Sequence, residues 1–90
     1  MKIEYKLEDL KDNWEQVRSA VMTKYPHVIC VLMERDIEVD GNKVILRYKP
    51  EEQILKKIAH TYIGAIYEGI RDYVKDEFTL LIKLEEEDGE

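Results

Sequence analysis

The chain is short of the residues that staple, anchor or arm a protein: it has one cysteine, two histidines, two prolines and four glycines in 90 residues. A lone thiol, Cys30, cannot close an internal disulfide, so the fold must hold without one. That predicts a reducing compartment, the cytoplasm. No apolar run approaches the ~20 residues of a membrane span, so no membrane partner is expected. The opening stretch MKIEYKLEDL alternates apolar and polar residues and carries acids, which is unlike a secretory signal. Glycine is too sparse for a phosphate loop: Gly64-x-x-x-x-Gly69 has no Lys-Ser or Lys-Thr behind it. Neither a repeat nor a low-complexity linker is visible.

Basic surface is also scarce. The formal net charge is −6, and acids stand beside most of the scattered lysines and arginines. Binding to a phosphate backbone needs clustered bases that displace counterions. Direct nucleic-acid binding is therefore not expected. Five of the twenty acids fall in the run from Glu85 to Glu90, and the remaining fifteen against fourteen bases leave the body near −1. Residues 85–90 read as an acidic disordered tail on a single domain spanning 1–84.

What is present is enough for a core. Hydrophobic residues make up 44% and charged residues 38%, the balance of a folded globule. A chain this short buries only about 60% of its unfolded surface, which leaves little room for a deep pocket. Residues 1–6 alternate and suggest a short extended arm. Leu10, Trp14, Val17 and Val21 then recur at helical spacing, with Glu8, Asp9 and Asp12 at the start of that helix. Pro26 ends it. The apolar segment His27 to Met33 fits a buried strand, favoured by β-branched Val28, Ile29 and Val31, or a short helix, favoured by Pro26 at a first-turn position with Leu32 and Met33 following.

Asp36 to Lys49 reads as a hairpin around Gly41-Asn42, with Val39 facing Val44 and Ile37 facing Leu46. Ile37, Val39, Val44, Leu46 and Tyr48 then share one side of the sheet. Pro50-Glu51-Glu52 opens a long helix over residues 50–75, whose apolar stripe includes Ile54, Ile58, Tyr62, Ile66, Ile70 and Val74. Two consecutive helices are the other reading. Gly64 and Gly69 predict a kink or a close approach to the first helix. Phe78, Leu80, Ile82 and Leu84 alternate as a third strand. The expected fold is α+β: a two-layer sandwich in which a three-stranded antiparallel sheet is covered by an N-terminal helix and a long helix. The element order α-(α)-β-β-α-β is KH-like. Trp14, Ile37, Leu46, Ile58, Ile66 and Ile82 are expected in the core, with Tyr48 and Tyr62 facing it.

The chemistry-bearing residues do not add up to a reactive cluster in the sequence. His27-x-x-Cys30 supplies two metal ligands where a zinc site needs three or four. Cys30, set among Val28, Ile29, Val31 and Leu32, reads as a buried inert thiol. Glu51-Glu52, Asp76-Glu77 and Glu85-Glu86-Glu87 sit at element ends, where solvated carboxylates are common. No catalytic residue, cofactor or metal is expected. The candidate contact residues are Ile45 and Leu81, which break the charged pattern on the far sheet face, and Tyr67, which lies off the helical stripe.

The run from Trp14 to Leu84 resembles the C-terminal region of the bacterial DNA polymerase III gamma/tau subunit. The likeness rests on Trp14 with Val17, on the segment from Ile29 to Met33, on the hairpin from Ile37 to Leu46, and on the closing helical stretch and strand. The KH-like N-terminal domain of the bacterial replication initiator shares parts of the pattern. The resemblance implies a fragment of a longer clamp-loader protein, without an ATPase of its own. It also implies a role in tethering replisome proteins such as a polymerase subunit. Two other classes are alternatives. One is a KH-like nucleic-acid-binding module, although the chain has no GxxG loop. The other is a small ligand binder or enzyme using Cys30, His27 or His60.

Overall fold

The computed structural model describes residues 4–85. Two short 3-10 turns, Leu7–Asp9 and Lys11–Asn13, lead into helix α1 (Trp14–Lys24). The N-terminal arm reaches across the molecule: the Tyr5 N–H donates to the Tyr73 carbonyl at 2.7 Å, and the Tyr5 carbonyl accepts from Lys75 N–H at 3.1 Å. Pro26 starts a 3-10 turn (Pro26–Val28) that runs into the one-turn helix α2 (Ile29–Leu32), so the apolar segment is helical and not a strand. Val28, Val31 and Leu32 are fully buried there.

The hairpin has the expected register. Strand β1 (Glu38–Asp40) pairs antiparallel with β2 (Lys43–Tyr48), with Val39 opposite Val44. Gly41 takes φ 62, a left-handed angle that glycine adopts without steric cost, and the two-residue loop needs it. Ile37, just ahead of β1, is buried with Val44, Leu46 and Tyr48.

The expected all-antiparallel sheet is corrected: β3 (Thr79–Leu84) lies parallel to β2, with Lys43 opposite Thr79 and Tyr48 opposite Leu84. The sheet is mixed, in the order β1-β2-β3. Alternation in a sequence says which face a residue takes but nothing of strand direction. Direction follows from the connection, and a parallel neighbour needs a crossover of helical length. Here the crossover is residues 49–78, which bring the chain back to the start of β2, where Thr79 N–H donates to the Asn42 carbonyl at 2.8 Å.

That crossover holds two helices rather than one long one: α3 (Gln53–Thr61) and α4 (Ile63–Arg71). The break falls at Tyr62, whose φ −107 and ψ 25 leave helical geometry, two residues ahead of Gly64. The break lets the two helices bury different partners. α3 lies on β2 and β3, while α4 packs on α1. Gly69 makes the second contact close: a Cβ placed there would stand 2.9 Å from both Val21 methyls. Tyr62, expected inside, is instead turned outward at the break and is 39% exposed. Ile58 is only half-buried.

Helices cover one face of the sheet, and the core between the layers holds Leu10, Trp14, Val17, Leu46, Tyr48, Ala59, Ile66, Ile70 and Ile82 among others. The two-layer α+β architecture is therefore the one the patterning predicted. No helix is long and apolar enough to cross a membrane among the described residues. The sheet hydrogen bonding continues to Glu85, whose N–H donates to the Tyr48 carbonyl at 2.6 Å. The rest of the predicted acidic tail, 86–90, lies outside the described residues.

Candidate functional site

The residues read from the sequence as contact candidates do not form one patch. Ile45 and Leu81 are neighbours in register across β2 and β3, on the sheet face away from the helices. Ile45 is nevertheless buried and Leu81 half-buried. Arg47, two residues along the same face, joins Glu38 across the hairpin through an Nε–Oε2 contact of 2.7 Å, beside Ile45. Tyr67 lies on α4 and packs on Phe78, with ring centroids 5.0 Å apart, so it too is half-buried. Bases on this outer face stand among acids, with Lys43 opposite Asp40 and Arg47 held by Glu38. The face carries mixed charge rather than a basic stripe.

Cys30 requires a correction of the opposite kind: it is exposed. A one-turn helix offers the core a single side, and Val28, Val31 and Leu32 occupy it. Ile29, Cys30 and Met33 are left facing out. His27 is exposed as well, with its ring edge-on to Tyr62 at 4.7 Å and to Tyr25 at 5.9 Å. His60 is exposed on α3. No group of three or more metal-ligating side chains converges among the described residues.

The densest polar cluster ties the segment after α2 to the rest of the body. Glu34 takes φ 59, and the following Arg35 turns back over the core. The Arg35 carbonyl accepts from Trp14 Nε1 at 2.7 Å and from Arg18 Nη1 at 3.1 Å. Its guanidinium lies 4.0 Å from the Tyr48 ring centroid, a cation–π contact. Its fork meets Glu52 at 3.3 and 3.0 Å and the Arg47 carbonyl at 2.9 Å. Hydrogen bonds from Arg35 and from the Lys49 backbone hold the Glu52 carboxyl below its usual range. Burial pushes the Tyr48 hydroxyl up to about 12, and that hydroxyl donates to the Val31 carbonyl at 2.9 Å. Each partner in this network is another part of the fold. The arrangement fixes α1, α2 and the β2–α3 connection relative to one another, and it sets no nucleophile beside a base.

The surface that sequence reading missed lies between α1 and α2. Ser19, Met22 and Thr23 form one wall, and Pro26, Ile29 and Met33 form the other. Met33 is 58% exposed and Ile29 39%. The lining is mostly apolar, in contrast to the concavity beside it, which Asp12, Glu15, Glu34 and Asp36 share with Lys11 and Arg18. A signal was present in the sequence: Ile29 and Met33 are spaced four apart on a segment whose inward positions were Val28, Val31 and Leu32. It was hidden because an unbroken apolar run reads as buried on every side.

Comparison with family models, with curated proteins and with solved structures gives no match for this chain.

Proposed function

We propose that this chain is a non-catalytic protein-interaction domain and that the groove between α1 and α2 is its contact surface. The observation that carries this reading is the clustering of exposed Met33 and Ile29 with Met22 and Pro26 in one concavity. Single exposed apolar residues are ordinary, whereas several sharing one groove are typical of a docking site. They stand on an otherwise well-packed body with twenty buried hydrophobic side chains and no buried charge among the described residues.

The resemblance to the gamma/tau C-terminal region supplies a candidate partner, a subunit of the bacterial replicative DNA polymerase. The cytoplasm is the matching location. The test is titration of the domain with polymerase III subunits, followed by fluorescence anisotropy. Binding at or below tens of micromolar is expected, weakened about tenfold by Met33→Glu at the centre of the contact. No binding in that range removes the replisome role.

A further inference from the structure

We infer that the groove between α1 and α2 takes an amphipathic α-helix that is basic at one end, with its lysines or arginines lying over Glu15 and Glu34. The inference rests on the interaction reading above and adds the kind of partner.

The walls select a helix. Ser19, Met22 and Thr23 are spaced three and four apart on α1. Pro26 and Ile29 lie along the 3-10 turn and α2, and Met33 follows α2 directly, where the backbone leaves helical geometry. The first wall is helical and the second is helical up to Met33, whose N–H donates to the Ile29 carbonyl at 2.9 Å, so neither wall presents an open sheet edge. An extended peptide gains affinity by adding a strand to such an edge, and there is none in this groove. Helix-in-groove docking needs only apolar side chains at i, i+3 or i+4, and i+7. Two of the three methionines of the chain, Met22 and Met33, line the groove. Flexible thioethers reshape to a helical ridge at little cost.

Charge selects the partner's end. Followed toward the start of α1, the wall face continues from Ser19 to Glu15 and Asp12, and Glu34 directly follows Met33 on the other wall. These acids line the adjoining concavity. The two bases there are engaged by other groups than Asp12 and Glu34, and the pair Lys11–Asp36 lies within the concavity itself. Lys11 Nζ meets Asp36 at 3.3 Å and the Ile37 carbonyl at 2.8 Å, and Arg18 Nη1 meets the Arg35 carbonyl. Arg18 approaches Glu15 only to 4.0 Å, and the Glu15 side chain is 90% exposed. Asp12 and Glu34 are exposed too. A second copy of this chain fits poorly, because the bases lining each face, Lys11 and Arg18, are already engaged and offer little to Asp12, Glu15 and Glu34 of the other.

The test uses two synthetic leucine–alanine amphipathic peptides of about four helical turns, one with lysines at one end and one with glutamines there. Anisotropy titration at low and high salt is expected to show tighter binding of the lysine peptide, with the advantage lost in salt. Ile29→Ser and Met33→Ser are expected to weaken both peptides about tenfold. Their side chains are exposed, so the thermal melt should stay unchanged, and that melt is the control for folding. Glu15→Gln with Glu34→Gln should weaken only the lysine peptide.

Equal affinity for the two peptides overturns the charge assignment. Binding of neither peptide, or binding indifferent to Ile29 and Met33, overturns the groove. A dimer in sedimentation that excludes the peptide overturns the occupant in favour of a second copy. If polymerase subunits bind regardless of Met33→Ser, the chain remains an interaction domain, but the groove falls both as its contact surface and as the site of this inference. If no polymerase subunit binds but the peptides behave as expected, the inference stands and the replisome assignment falls.

Discussion

At the residue scale the fold depends on a few polar side chains that must be satisfied where the chain turns. Arg35 is the centre: its carbonyl, guanidinium fork and cation–π face all have partners on different segments. Glu52 accepts from Arg35 and from the Lys49 N–H, and its carboxyl is held low by them. A carboxyl whose folded pKa is depressed contributes stability above its unfolded pKa, and that contribution is lost as pH falls through the folded value. Glu52→Gln should therefore lower stability near neutral pH and leave it little changed in strong acid. The side chains are partly solvated, so the loss at neutral pH should be about 1 kcal/mol or less. Urea melts of both proteins from neutral to acid pH check it; a difference that grows on acidification would contradict it. Little of this network was legible in the sequence. Trp14 was placed in the core by spacing, but its Nε1 partner lies 21 residues away at Arg35.

Among the elements, the two glycines of the crossover separate two effects that the sequence merged. Both lie in α4, where glycine costs a helix about 1 kcal/mol relative to alanine. Around Gly64 a Cβ would meet nothing within 4 Å. At Gly69 it would meet Val21, a buried β-branched side chain with little freedom to move. Gly64→Ala should stabilise the domain by about 0.5–1 kcal/mol. Gly69→Ala should destabilise it by about 1–3 kcal/mol through overpacking. Adding Val21→Ala should recover part of that loss, since residues in contact are coupled. Thermal and urea melts measure all three, and equal effects at the two glycines would contradict the α1–α4 close approach. The one-turn α2 makes a similar point about sides. The residues alone leave strand and helix open there, and the brevity of the helix that forms exposes Ile29, Cys30 and Met33, which a longer buried element would have covered.

For the whole molecule, β3 closes the body. It pairs only with β2, some three dozen residues earlier, and brings Leu80 and Ile82 against the helices, with α3 lying on it. Removing it would uncover Val44, Leu46 and Tyr48 on the central strand, which are otherwise fully buried. A chain ending at Glu77 should accordingly fail to fold rather than fold weakly, with a collapsed near-ultraviolet dichroism signal and poor amide dispersion as the readout. A cooperative melt from that fragment would contradict the reading. A small domain has no spare layer to compensate for a lost strand.

The sequence by itself determined the class of fold, the hairpin register around Gly41-Asn42, the helical state of α1 and the alternation of β3. Each of these depends on local periodicity or on a turn residue whose geometry is set within a few positions. Only the tertiary structure decided the parallel direction of β3, the break at Tyr62, the burial of Ile45 and the exposure of Cys30, Ile29 and Met33. Strand direction depends on where a long connection delivers the chain, and burial depends on which neighbour covers a side chain. Both are properties of distant segments meeting, and periodicity along one segment carries no record of them.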